Sequence, residues 1–242
     1  NLNIDFIHCH DTYPLLTSSI SKLLYKKKLI YDAHELSSFL QEHILLKIFY
    51  RISERITYSY WDVLITANSE RAAVMLAKYN LQKTKIMYLN NFPCNAGKEI
   101  HHFDKPDNVI NILYQGMISK EREIDKIIEF SKDLNLNYHF YIVGKYWPSK
   151  DYYTNLVKKH NLVNKVTLLD PLKNHDLQDL MKNCHIGLIP LNKRYLNNYL
   201  CEPNKLYEYL FMNMRVIMPN CFHLNKINKI LKENFVYFYN DI

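Results

Sequence analysis

The chain has 242 residues, 48% hydrophobic and 23% charged, which excludes a disordered polymer and leaves room for one large domain or two modest ones. Lysine and arginine number 31 against 24 acids, a formal charge of +7, but the excess is even along the chain, 11 against 8 through Pro93 and 20 against 16 after it, so no basic tail or nucleic-acid-binding stretch stands out. Five cysteines, Cys9, Cys94, Cys184, Cys201 and Cys221, are odd in number and lack CxxC spacing, which argues against a disulfide framework or a zinc knuckle and makes a reducing cytoplasm the default compartment. No apolar run approaches the roughly 20 residues of a membrane span, so any membrane association is expected to be peripheral, on the inner face.

In chain order, short apolar runs alternate with segments of helical period, the signature of βαβ units. Strands are predicted at Ile4 to Cys9, Lys28 to Tyr31, Val63 to Thr66 and Lys85 to Leu89, with helices at Leu15 to Tyr25, Ser38 to Tyr60 and Ser69 to Lys78. A polar stretch with Pro93, Gly97 and Pro106 breaks the rhythm and predicts a linker over 94–108, after a first lobe of residues 1–93. The second lobe, 109–242, restarts with strands at Val109 to Tyr114, Tyr138 to Val143, Lys165 to Leu168, Ile186 to Pro190, Arg215 to Met218 and Phe235 to Phe238. Helices fill its gaps at Ile124 to Leu134, Tyr152 to His160, Asp176 to Asn183, Pro203 to Met212 and Leu224 to Leu231. Strands apolar on both faces and separated by helices imply an α/β fold with two Rossmann-like lobes and parallel sheets, in which ligands bind at the carboxyl ends of the strands.

The segment Glu202-Pro203-Asn204-Lys205-Leu206-Tyr207-Glu208-Tyr209-Leu210 is the richest in chemistry. Proline suits a first helical turn, so a helix begins near Pro203 with Asn204, Lys205 and Glu208 on one face and Leu206, Tyr209 and Leu210 toward a core. Helix-terminal amides and the Lys205 ammonium suit a diphosphate, and Glu208 one turn deeper suits a ribose diol; a solvated surface ion pair is the plain alternative.

This run resembles the P-N-K-L-[FY]-E-Y segment of retaining GT-B glycosyltransferases of family four, the group 1 type. Ile112-Leu113-Tyr114-Gln115-Gly116 followed by Arg122 resembles that family's strand, glycine loop and basic residue, His8-Cys9-His10-Asp11 its H-x-H-D element, Tyr31-Asp32-Ala33-His34-Glu35 its D-x-H-E element, and Asn68-Ser69-Glu70 its polar strand ending. The five short motifs stand in the right order at strand ends. Where the family often has a first glutamate eight positions before Glu208, this chain has Leu200, with Glu202 two residues off that register.

The resemblance implies a donor site of Gly116, Lys120, Arg122, Gly144, Pro203, Asn204, Lys205 and Glu208, with Gly116 admitting a backbone amide to the diphosphate and Lys120 or Arg122 neutralising the leaving phosphate. It implies that Glu208 holds the ribose, that His34 contacts the donor sugar, and that His34, Arg122, Lys205 and Glu208 form the catalytic set, with His10, Asp11, His34 and Glu35 on the acceptor side. Sugar would pass with retention from a nucleotide sugar to a saccharide or lipid-linked saccharide in surface polysaccharide assembly, without metal or cofactor and without nucleic acid. The relatives' first lobe opens with further βα units and their chain ends with helices that return to it, so this chain is expected to be short at both ends and slow in transfer by itself.

Three other readings stand beside this one. A nucleotide-sugar epimerase shares the donor pocket, and an inactive nucleotide-binding remnant shares the fold. H-x-H at a strand end also opens metal-dependent hydrolases built on eight-stranded barrels, with His8 and His10 as ligands, although the linker breaks a barrel rhythm. Between Ser38 and Tyr60, Leu40, Ile44, Ile48, Ile52 and Ile56 recur every four residues beside a basic stripe of Lys47, Arg51 and Arg55. That face is expected to pack on the first sheet, the alternative being contact with anionic lipid.

Overall fold

The computed structural model describes residues 4–40, 43–81, 83–90, 108–221 and 236–239. In chain order its strands and helices are β1 (Phe6–His10), α1 (Leu15–Tyr25), β2 (Lys28–Ala33), α2 (Ile44–Thr57), β3 (Val63–Thr66), α3 (Ser69–Tyr79), β4 (Lys85–Tyr88), β5 (Ile110–Gln115) and α4 (Ile124–Ser131). There follow β6 (Tyr138–Val143), α5 (Lys150–Lys159), β7 (Val166–Leu169), α6 (Asn174–Lys182), β8 (Ile186–Leu188), α7 (Leu196–Tyr199), α8 (Asn204–Phe211), β9 (Arg215–Pro219) and β10 (Val236–Tyr239). The predicted strands all form, within two residues at their ends. The predicted helix over 224–231, Cys94 and all but the last residue of the 94–108 linker lie outside the described residues.

Two compact units result: Asn1–Asn91 with Lys193–Glu202 and Cys221–His223, and Phe92–Asn192 with Pro203–Asn220 and Leu224–Ile242. The first unit therefore takes a segment that its sequence position assigns to the second lobe. Hydrogen bonding explains the capture. Leu36 N–H donates to Asn197 Oδ1 (2.9 Å), Arg71 donates to the Asn197 carbonyl (3.2 Å), and Asn68 Nδ2 donates to the Leu200 carbonyl (2.9 Å). The Leu200 side chain joins the core formed by Leu29, Tyr31, Leu64, Trp61 and Met75.

The first unit's sheet is parallel, in the order β1-β2-β3-β4. Asn68 caps α3 by accepting from Arg71 N–H (2.9 Å), and Asn80 ends it in the left-handed conformation that asparagine tolerates. The expected single helix over 38–60 is instead a 3-10 turn at Ser37–Phe39, then α2, then a second 3-10 turn at Tyr58–Tyr60. Its apolar stripe does not pack on the sheet: Ile44, Ile48, Ile52 and Ile56 are 59%, 44%, 50% and 58% exposed. The buried face of α2 is polar, made of Tyr50, Ser53, Glu54 and Thr57. Glu54 accounts for this inversion. Its carboxylate is buried and accepts from Lys78 Nζ (2.9 Å), from the Tyr79 hydroxyl and, at 3.4 Å, from Tyr31 and Ser38, a network that holds the helix by one charge fully surrounded by donors.

The second unit's sheet is parallel in the order β10-β9-β8-β5-β6-β7. Ile118, Ile124, Ile128, Phe140, Ile142, Tyr153 and Val157 fill the core on the α4 and α5 side. β5 is the switch point: β6 and β7 build outward on one side, β8 to β10 on the other. Loops diverge at the carboxyl end of such a strand and leave a crevice there. Among the described residues the strands form two separate parallel sheets, which excludes the eight-stranded barrel of the metal-hydrolase reading.

Candidate functional site

A cavity of about 770 Å³ opens at the carboxyl ends of β5 and β6 in the second unit, within the range of cofactor-sized pockets. Gln115, Gly116, Gly144, Asn204, Lys205 and Glu208 line it, joined by the start of α6 through Asn174, Leu177 and Gln178. Five expected donor residues, Gly116, Gly144, Asn204, Lys205 and Glu208, thus meet in one place. The other three stand off its wall. Pro203 is the extended residue before α8. Lys120 and Arg122 lie on a 3-10 turn, where Lys120 Nζ sits 5.0 Å over the Tyr152 ring.

The two glycines are required by their geometry. Gly116 has φ +131 and Gly144 φ +152, values that side chains rarely adopt. A Cβ on Gly144 would lie 1.7 Å from the Gly116 carbonyl oxygen, and one on Gly116 would lie 2.4 Å from Lys205 Nζ. The strand ends therefore touch backbone to backbone, tied by Gly116 N–H donating to the Val143 carbonyl (2.9 Å), with the Lys205 ammonium directly above Gly116.

The α8 helix is anchored by what it buries. Leu206 and Tyr209 are fully buried, and the Tyr209 ring occupies the space that a side chain on Gly187 would fill, 2.2 Å from where its Cβ would lie. Gln115 N–H donates to the Tyr209 hydroxyl (3.3 Å), and Gln115 Nε2 donates to Glu208 Oε2, so the last residue of β5 sets both the helix and its carboxylate. Lys205 Nζ lies 5.1 Å from the Tyr114 ring centroid. Burial pushes the Tyr114 hydroxyl up to about 12, with Arg122 pulling the other way, so it remains a neutral donor to the Met117 carbonyl. Pro203, the residue before α8, makes no side-chain capping bond to its first turn, and the positive end of the helix dipole lies beside the ammonium. One wall of the cavity therefore offers a cation and the positive end of a helix, and the next turn of α8 a carboxylate acceptor.

Sequence reasoning missed Gln115 as the residue that orients Glu208, as well as the contribution of α6. The signal for Gln115 was a polar residue closing an apolar strand just before a glycine. Asn174 and Gln178 carried none, because nothing local links α6 to the crevice.

In the first unit, His10, His34 and Asp11 gather at the carboxyl ends of β1 and β2, together with His8 and Asp32. Asp11 adopts a left-handed φ of 59 and accepts from His34 N–H (3.2 Å). Glu35 is exposed, and its charge acts on Arg71, whose guanidinium burial shifts downward. Glu202, near the P-N-K run in sequence, is buried in this first unit and accepts from Asn90 Nδ2 (3.3 Å), so it is structural rather than a cavity residue.

Residues 97–204 match the family model of glycosyl transferases, group 1. No curated protein sequence matches the chain. Among solved structures it is similar to Anabaena Alr3699/HepE in complex with UDP and glucose, at 15% identity and TM-score 0.67, covering 98% of this chain and 65% of that one. It is similar to sucrose-phosphate synthase from Thermosynechococcus elongatus at 13% identity and TM-score 0.61, covering 98% and 60%. The lipopolysaccharide outer core galactosyltransferase WaaB gives 14% identity and TM-score 0.64, covering 99% and 62%. The chain thus spans about 65% of the length of the HepE structures or less of the other two. It has the GT-B fold, and its residues 97–204 match the group 1 glycosyl transferase family.

Proposed function

We propose that this chain carries the donor-binding machinery of a glycosyltransferase that moves a sugar, with retention, from a nucleotide sugar to a saccharide or lipid-linked saccharide in surface polysaccharide assembly. The observation that carries this is the Lys205 ammonium held over Gly116 at the start of α8, with Glu208 one turn away and oriented by Gln115. A diphosphate beside the glycines meets the positive end of the α8 dipole and a cation, and Glu208 accepts from a ribose diol. UDP and UDP-glucose are the ligands of the Anabaena structures of the same fold, which supports a nucleotide sugar here.

Transfer then rests on stabilising the departing nucleotide. Lys205 and the α8 dipole neutralise charge as it develops on the leaving diphosphate, and Arg122 and Lys120 are assigned to the same role when substrate is bound, so the donor chemistry uses no metal or cofactor. To the first unit we assign His10, Asp11, His34 and Glu35 as acceptor-side residues, with His34 also a catalytic contact to the sugar. A peripheral contact with the inner face of an anionic membrane fits a lipid-linked acceptor. Its support is the outward isoleucine stripe of α2 beside Lys47, Arg51 and Arg55, a complement to an anionic bilayer.

The test is thermal stability of the chain with UDP, GDP and ADP, followed by incubation with a nucleotide-sugar panel with and without saccharide acceptor. A rise in the second unit's transition with one nucleotide, and free nucleotide released only with acceptor, is expected. Epimerised nucleotide sugar would establish the epimerase reading instead, and binding without turnover by the chain extended to full relative length would establish the remnant.

A further inference from the structure

We propose that Trp147 of the second unit is the platform of a saccharide subsite, stacking on one pyranose ring at the rim of the donor cavity. Past the ends of β5 and β6 the two segments stay paired: Ile118 N–H donates to the Lys145 carbonyl (2.9 Å) and Trp147 N–H to the Ile118 carbonyl (2.8 Å), with Ile118 opposite Tyr146 in parallel register. That register continues the one in which Gln115 lies opposite Val143. Side chains along paired extended segments alternate between faces, so Met117, Lys145 and Trp147 share one face and Ile118 and Tyr146 the other. Burial agrees: Ile118 is fully buried and Tyr146 packs on the core, while Met117 is 47% and Trp147 69% exposed.

The shared face is the cavity face, since Met117 and Lys145 both line the cavity. Trp147 stands two residues beyond Lys145, about 6.6 Å along the segment at the rise of a parallel strand, which puts it at the rim. Its backbone is held on both sides, by the bond to Ile118 and by the Tyr153 hydroxyl donating to the Trp147 carbonyl (3.2 Å). Two residues on, Ser149 Oγ caps α5 by accepting from Tyr152 N–H (3.3 Å). A tryptophan fixed at its backbone and open at its ring leaves apolar surface in water, and in return offers a flat, preorganised surface to a ligand.

That surface selects the ligand. A pyranose turns its axial C–H groups to one apolar face and keeps its hydroxyls round the edge, where they need water or polar partners. The negative face of the indole attracts the C–H hydrogens, and the Lys145 ammonium on the same side of the segment donates to hydroxyl oxygens at the ring edge. A platform at an open rim covers one ring face and leaves the other wet, as a sugar requires. A nucleobase is apolar on both faces and suits the cavity interior, among Pro171, Leu172, Leu177 and Met181. That the saccharide is an acceptor rests on the transferase reading; the stacking of a pyranose on Trp147 is measured without it.

The chain has two tryptophans, and the other, Trp61, is 3% exposed, so long-wavelength emission and its quenching by iodide report Trp147. The experiment titrates the chain, without nucleotide, with glucose, galactose, N-acetylglucosamine, maltose and lactose at millimolar concentration, with glycerol as the control polyol. At least one pyranose should shift the emission to the blue and protect it from iodide, and saturation-transfer NMR should mark the C–H protons of one ring face; glycerol should do neither. Trp147→Ala, with circular dichroism unchanged, should weaken saccharide binding by about tenfold or more in an NMR titration, and Trp147→Tyr should restore most of it. Both variants should bind the nucleoside diphosphate that stabilises the wild type within about threefold of its affinity. No effect from any of the five sugars, an equal effect from glycerol, or unchanged saccharide affinity in Trp147→Ala would overturn the proposal. So would a loss of nucleotide affinity in Trp147→Ala, which would make the ring a nucleobase contact. Saccharide binding at Trp147 in a chain that binds no nucleoside diphosphate would support the subsite and remove the transferase reading.

Discussion

The two glycines at the cavity answer alanine substitution differently, because one faces backbone and the other the end of a flexible side chain. In Gly144→Ala the new methyl would lie 1.7 Å from the Gly116 carbonyl oxygen and 2.8 Å from its carbon, so the ends of β5 and β6 must part by more than an ångström. The Gly116 N–H bond to Val143 resists that opening. A glycine-only φ contributes about 1 to 3 kcal/mol and a forced core shift a similar amount, so about 3 kcal/mol is a moderate expectation. The second unit's transition should therefore fall by about 6 to 12 °C. In Gly116→Ala the methyl meets Lys205 Nζ at 2.4 Å and Cε at 3.1 Å, and the lysine end swings away. Stability should fall by the backbone strain alone, but the ammonium leaves the diphosphate. A lost charged hydrogen bond of about 1.5 to 3 kcal/mol corresponds to roughly 10- to 150-fold weaker binding. Differential scanning calorimetry and titration calorimetry with the nucleoside diphosphate that stabilises the wild type separate the two effects. The reasoning fails if Gly144→Ala melts with the wild type, or if Gly116→Ala binds nucleotide with unchanged affinity.

Glu208→Ala should weaken nucleotide binding by roughly 10- to 150-fold, whereas Glu202→Ala should lower the first unit's stability and leave nucleotide affinity within about threefold; equal losses of affinity would remove the ribose role from Glu208. Transfer activity of the chain extended to full relative length should survive EDTA, since Lys205 and the α8 dipole supply the positive charge; loss on chelation, restored by a divalent ion, would contradict this. Ile52→Asp on α2 should reduce co-sedimentation with phosphatidylserine vesicles by about tenfold or more, the loss of roughly 1.4 kcal/mol, with no change for neutral vesicles. Unchanged sedimentation in that variant would assign the stripe to a protein partner or another part of a longer chain.

Much of the fold is written locally. Alternation of apolar runs with helical periods placed every strand within two residues, and Pro203 followed by Asn204, Lys205 and Glu208 marked a helix start with its polar face, because both signals depend on neighbours in the chain. Five of the eight expected donor residues meet at one cavity for the same reason: they follow strand ends or open a helix, and parallel topology sends those positions to one edge. Tertiary structure alone decided the remainder. The outward turn of the α2 isoleucines depends on Glu54 finding Lys78, Tyr79, Tyr31 and Ser38, donors from three other elements that no helical period can display. Lys193–Glu202 joins the first unit because Asn197 and Leu200 meet Leu36, Arg71 and Asn68, more than a hundred residues away. The pairing of β1 with β2 likewise sets three histidines around Asp32, a contact made by register and not by spacing along either strand.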